Sequence, residues 1–453
     1  MLKLRPCAWI LGGLSLWGMF LFMSVPAIEA HPLQSEPVNH PYVFGFDQFY
    51  LSEDPDEHLA QGGLLLLAEL RCTACHRPPA AWSSRLEPAP GPDLSWVGSR
   101  MVSDSLWRLV RSPQHSKKGT LMPGLFTGED GDAEDVEAIV EFLARRSRPQ
   151  SEMLQMPKGN PTSGKQLYHR IGCVACHEPA TDYRPPAPPE GTEIEKPGLA
   201  SVPLVLAEAY TANELAAFLQ DPLHIKPSGR MPSQQLTSQE AADIAAYLQV
   251  GETFEPSIER TVLQIPKQGV KRGKSVFIQR NCQACHPLDG IDANSTSPAP
   301  LISLNAKHGC LSESRQSGVP FYQFNPTQRR ALELSLSLVK NHSSSPPSYN
   351  ALDWKLSRLN CYACHDRDGK GGPEDPRAQY FSGTPLPSTP GFHPYPLPRS
   401  LDGLENTLTD TELLNSLRGR PTAAGETTLR MPDFGPKNAA ELFDLFRHHG
   451  ESR

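Results

Sequence analysis

One five-residue pattern occurs four times in this chain of 453 residues. The copies are Cys72-Thr-Ala-Cys75-His76, Cys173-Val-Ala-Cys176-His177, Cys282-Gln-Ala-Cys285-His286 and Cys361-Tyr-Ala-Cys364-His365. They take eight of the ten cysteines. A zinc site built from such pairs needs two of them close together, and these lie about 80–110 residues apart. A disulfide scaffold has no reason to place a histidine after the second cysteine every time. A thioredoxin-like redox pair does not need that histidine either.

C-x-x-C-H is the pattern of covalent c-type haem attachment. Two thiols one helical turn apart reach the two vinyl groups of one porphyrin, and the adjacent imidazole lies under the ring to coordinate iron. Each motif is embedded in a longer repeat. A helical segment with apolar residues at helical spacing leads into the first cysteine. A Pro-x-Leu-like segment follows at Pro92-Asp-Leu94, Pro197-Gly-Leu199, Pro300-Leu301 and Pro398-Arg-Ser-Leu401. Short helices are predicted at Ser103–Arg111, Thr211–Asp221 and Asp410–Arg418. Met-Pro dipeptides come next, at Met122, Met231 and Met431. Amphipathic helices close the units at Asp132–Arg146, Thr237–Val250, Pro326–Val339 and Asn438–His448.

This arrangement resembles the class I cytochrome c fold, repeated over nearly the whole chain. The resemblance implies a mainly α protein, a tandem array of four class I cytochrome c-like haem domains with long Pro-rich loops. It divides the chain into a signal peptide (1–30), an N-terminal extended arm (31–60) and four haem domains at 61–150, 151–259, 260–345 and 346–453. It implies four covalently bound haem c groups, with His76, His177, His286 and His365 as proximal ligands. By position, it carries the distal thioether role onto Met122, Met231 and Met431. A further Met-Pro, at Met156, precedes the second motif and recurs as Ile265-Pro266, so Met156 is expected to serve packing.

The third unit departs from the pattern. Val319-Pro320 stands where Met-Pro is expected, and only 33 residues separate His286 from Val319, against 46, 54 and 66 from histidine to methionine elsewhere. The distal side of the third haem is left to His308, to Cys310 or to an open position. Cys310 is the one cysteine outside both the motifs and the N-terminal segment.

Lys3 and Arg5 precede an apolar run from Cys7 to Val25, closed by Pro26 and small residues at Ala27 and Ala30. This predicts a secretory signal peptide and a periplasmic or otherwise exported protein. An uncleaved segment of that length would instead associate the chain with a membrane. A formal net charge of −7 argues against nucleic-acid binding. No phosphate-binding glycine loop, dinucleotide fingerprint or Ser-His-Asp set is present, and no catalytic residue is assigned. The expected role is single-electron transfer between redox proteins, a donor and an acceptor of the dehydrogenase or oxidase kind. The alternatives are a multihaem oxidoreductase with the third haem as catalytic iron, peroxidase-like or sulfur-oxidising, and a cytochrome subunit of a dehydrogenase complex.

Overall fold

The computed structural model describes residues 39–46, 55–149, 155–180, 182–183, 201–202, 204, 209–250, 269–292, 299–373, 375–381, 398–420 and 429–451. The N-terminal apolar run and Pro197-Gly-Leu199 lie outside these residues. Residues 33–453 form one compact unit. Among the described residues no helix is long and apolar enough to cross a membrane.

The principal helices are α1 (Pro55–Glu69), α2 (Ser103–Arg111), α3 (Asp132–Ala144), α4 (Pro161–Arg170), α5 (Ala212–Gln220), α6 (Ser238–Val250), α7 (Gly269–Gln279), α8 (Pro326–Asn341), α9 (Ala351–Arg358), α10 (Asp410–Leu417) and α11 (Pro436–Glu451). The helix starts follow local chemistry. Asn160, Asn325 and Asn350 cap α4, α8 and α9 with their side-chain oxygens. Proline at the first turn of α4 and α8 supplies a fixed φ where no N–H is needed. Thr409 and Glu412 form a reciprocal capping box on α10. One short hairpin, Asp366–Arg367 with Lys370–Gly371, follows the fourth motif. Residues 55–60, expected in an extended arm, belong to α1.

Each helix that leads into a motif packs on a closing helix. Helix α4 packs on α6, and α9 packs on α11. The other two pairings cross the chain: α1 packs on α8, and α7 packs on α3. The helix before the first motif therefore lies against the closing helix of the third segment, and the helix before the third motif lies against that of the first. This departs from pairing in chain order.

Charge explains the choice. Helix α1 opens on Asp56 and Glu57, and α3 opens on Asp132, Glu134 and Asp135. Helix α7 carries Lys271, Arg272 and Lys274, and α8 carries Arg329 and Arg330. Pairing in chain order would set acid against acid and base against base. The crossed pairing gives ion pairs instead: Arg330 to Asp56 at 2.7 Å, Arg272 to Asp135 at 2.8 Å and Arg280 to Asp132 at 3.2 Å. The exposed Arg330–Asp56 pair contributes about 0.2–1 kcal/mol and the others are of similar order, so charge biases the choice of partner rather than holding the fold.

Four apolar cores hold the described residues. One joins α1 and α8 with Leu301, Leu311, Tyr322 and Phe324. A second joins α2, α3 and α7. The third lies among α4, α5 and α6, and the fourth among α9, α10 and α11. Leu64, Leu65, Leu66 and Leu67 are all buried, so the second half of α1 is covered on every side. Burying each such side chain is worth roughly 1.5–3 kcal/mol. Met156 packs on the core of α4 and α6. The arm at residues 39–46 threads between segments: Tyr42 N–H donates to Gly119 O, and Gln328 Nε2–H donates to Pro41 O.

Candidate haem-binding sites

The four motifs share one backbone design. The residue before the first cysteine is left-handed in every copy: Arg71 (φ 63°), Gly172 (φ 114°), Asn281 (φ 57°) and Asn360 (φ 59°). That conformation stops the preceding helix and re-aims the chain. The next residues form a single tight turn, closed by the histidine N–H donating to the carbonyl of the first cysteine at 2.8–3.0 Å. Both thiols and the imidazole are thus presented from one turn.

The imidazoles are oriented alike. Nδ1 lies against a backbone carbonyl in each case: His76 on Ala299 (2.8 Å), His177 on Val202 (3.1 Å), His286 on Pro92 (3.0 Å) and His365 on Arg399 (2.7 Å). An Nδ1–H donated in this way fixes the tautomer and leaves Nε2 with its lone pair for a metal. The accepting carbonyl always stands two residues before a leucine, namely Leu301, Leu204, Leu94 and Leu401. Sequence reading placed the segment after the second motif at Pro197-Gly-Leu199; the contact to His177 comes from Val202, ahead of Pro203-Leu204.

The electrostatics favour neutral ligands. Burial holds the imidazoles of His177 and His286 down at about 4, and burial also lowers His365. Burial raises the thiols, Cys75 to about 11 and Cys173, Cys282 and Cys361 to about 12. None of the nine described cysteines forms a disulfide. Among the described residues no three His, Cys, Asp or Glu side chains converge as a metal site. Lys117, Lys226 and Arg377 crowd His177 and depress it further. Lys226 is itself lowered to about 7 by burial and by Lys117, Arg230 and Arg100. Such a concentration of cations suits a group that brings its own carboxylates, as haem does.

Motifs meet in two pairs. Asn281 Nδ2 lies 3.5 Å from Cys75 Sγ, and Arg71 Nη1–H donates to Cys285 O at 3.2 Å. Asn360 Nδ2 lies 3.6 Å from Cys176 Sγ. The first motif thus adjoins the third, and the second adjoins the fourth. The distal loops repeat this pairing. Gly124 and Phe321 form an antiparallel bridge, as do Ser233 and Asp433. Each of these residues stands two positions after Met122, Val319, Met231 or Met431. Val319 therefore occupies the structural position of the methionines.

Met231 packs on the core of α4–α6, and Met431 on that of α9–α11. The Met122 carbonyl accepts a hydrogen bond from Gln114 Nε2 at 3.1 Å, and the same amide reaches Phe321 O at 3.2 Å. His308 is exposed. Cys310 is half-buried and packs on the α1–α8 core together with Cys72, not with Cys282. His169 escaped sequence reading. Its Nδ1–H donates to Lys165 O (2.7 Å), its Nε2 accepts from Ala180 N–H (2.9 Å), and its ring stacks on Tyr183, so it braces the second motif's loop.

No curated protein and no solved structure matches the chain. The family model described as "Cytochrome c" matches residues 161–251, from the start of α4 to just beyond α6. That segment, which contains Cys173, Cys176, His177 and Met231, is similar to a cytochrome c domain, and the match supports covalently held haem c and haem-based electron transfer.

Proposed function

We propose that the protein is an exported tetrahaem c-type cytochrome that passes single electrons between redox proteins. The observation that supports this most is the fourfold repetition of one site: a left-handed residue, a C-x-x-C-H turn, and an imidazole whose Nδ1 is held by a carbonyl two residues before a leucine. Haem held at these motifs would supply a one-electron iron couple, and a thioether from Met122, Met231 or Met431 would raise its potential.

The chain's residues do the rest. Cys72, Cys75, Cys173, Cys176, Cys282, Cys285, Cys361 and Cys364 anchor. His76, His177, His286 and His365 offer Nε2 from a fixed orientation. Met122, Met231 and Met431 offer thioethers from loops braced against one another. Direct contact between motifs one and three, and between two and four, supports a reading in which the anchored groups are neighbours, as electron transfer needs. A redox protein is the partner class, and the apolar N-terminal run is the export signal or a membrane tether.

The test is haem content. Full-length protein matured in a periplasm should carry four haems per chain by the pyridine haemochrome assay, with a matching covalent mass increase. Cys361→Ser with Cys364→Ser should lower both to three. A wild-type content below four overturns the reading. The oxidoreductase alternative rests on Val319 in a methionine position. It expects the reduced protein to bind carbon monoxide at one haem in four, and an unchanged spectrum under carbon monoxide removes it.

A further inference from the structure

The crossed packing of α1 on α8 and of α7 on α3 has a consequence for ligation. We infer that the first and third haem compartments exchange halves, so that Met122 serves the haem of Cys282, Cys285 and His286, and the compartment without a methionine belongs to Cys72, Cys75 and His76. This rests on the tetrahaem reading above and reverses the assignment made by chain order.

Three independent contacts carry it. The first is the proximal carbonyl: His286 uses Pro92 from the first segment, and His76 uses Ala299 from the third. The second is the backbone just beyond. Leu94 N–H donates to Pro287 O at 2.9 Å, and Leu301 N–H donates to Arg77 O at 3.0 Å. The third is the core. Cys282 shares its core with α2, α3 and Met101, whereas Cys72 shares its core with α8, Tyr322 and Cys310. The second and fourth units show how to read the loops. There the Met loops also bridge each other, yet Met231 and Met431 each stay with the core of the closing helix that follows them. Met122 leads into α3, and α3 packs on the helix of the third motif.

The first segment passes the third motif at close range. Gly91 N–H donates to Cys285 O at 3.0 Å, and a Cβ on Gly91 would stand 2.1 Å from that oxygen. Only glycine lets the first segment leave its own motif and pass the third this closely.

Two measurements on the haem-loaded full chain test the exchange. In the first, Cys72→Ala with Cys75→Ala and, separately, Cys282→Ala with Cys285→Ala each remove one haem, verified by haemochrome content. Thioether-ligated haems are then counted by the upfield methionine-methyl NMR resonances of the reduced protein. The exchange expects three resonances to survive loss of the first haem and two to survive loss of the third. The reverse counts overturn it. The second measurement needs no haem deletion and covers the case in which those variants fail to fold. Carbodiimide coupling of Arg330→Lys and of Arg272→Lys should give Asp56–330 and Asp135–272 cross-links in the monomer fraction. Their absence there, or their confinement to dimers, overturns the exchange. A haem content below four, by contrast, counts against the tetrahaem reading alone.

Discussion

Gly273→Ala should lower the melting temperature sharply, although alanine is the better helix former by about 1 kcal/mol. The cause is the approach of α7 to α3. A Cβ on Gly273 would stand 1.9 Å from Ala138 O, a backbone atom that cannot turn aside. Gly164 has the same relation to Asp243 O (1.9 Å), and Gly63 to Ala331 O (2.0 Å). All three lie nine residues before a first cysteine. A methyl group at any of them must push two helices apart along the seam that forms the core. The cost sits at the upper end of overpacking, about 3 kcal/mol or more. For each variant, thermal unfolding of the haem-loaded protein should show the drop, and haem content should fall with it. A rise in melting temperature would mean that the close approach does not exist. The fourth unit supplies the opposite control. Leu352 holds the equivalent position and is buried in the α9–α11 core, so Leu352→Ala should cost roughly 2–5 kcal/mol by leaving a cavity.

These glycines also show what was legible in the sequence. The motifs, the helices that flank them and the Met-Pro loops are local features, and local chemistry suffices to read them. Helix α2 was expected at Ser103–Arg111 and lies there, and α5 and α10 differ from expectation by a residue at one or both ends. The partnership of α1 with α8 was harder, because an amphipathic stripe says which face is buried but not against what. Repetition makes every closing helix an acceptable mate for every leading helix. The discriminating signal was present as charge: Asp56 and Glu57 on α1, against Asp132 and Asp135 on α3. Cys310 and His308 were assigned to the nearest motif in the chain, whereas the fold brings Cys310 to Cys72. Val202 itself opens the Val-Pro-Leu at 202–204, and the earlier Pro197-Gly-Leu199 matches the Pro-x-Leu pattern of the first unit more closely, so the sequence pointed to the earlier one.

Glu69→Ala should be the most damaging substitution of a charged residue. Glu69 ends α1 and is only 3% exposed. Arg358 Nε lies 2.9 Å from one carboxylate oxygen and Arg230 Nε 3.3 Å from the other. Arg358 comes from α9, just before the fourth motif, and Arg230 immediately precedes Met231. One buried carboxylate therefore ties the helix of the first motif to the Met231 loop and to the leading helix of the fourth motif. Removing it leaves two guanidinium groups facing each other with no anion between them, at a cost of about 3–5 kcal/mol. Glu69→Gln, which keeps the shape and one acceptor oxygen, should cost less. The two variants also separate stability from ligation. If Glu69 positions the Met231 loop, Glu69→Ala should weaken the thioether signature of one haem and leave the other two intact at temperatures where the chain remains folded. Uniform loss of all three would assign Glu69 to global stability alone. Arg358→Met and Arg230→Met, made together with Glu69→Met, complete the cycle. An apolar triad of similar volume should recover much of the stability lost by the single change, because the penalty lies in the unpaired charges and not in the absence of the ion pair.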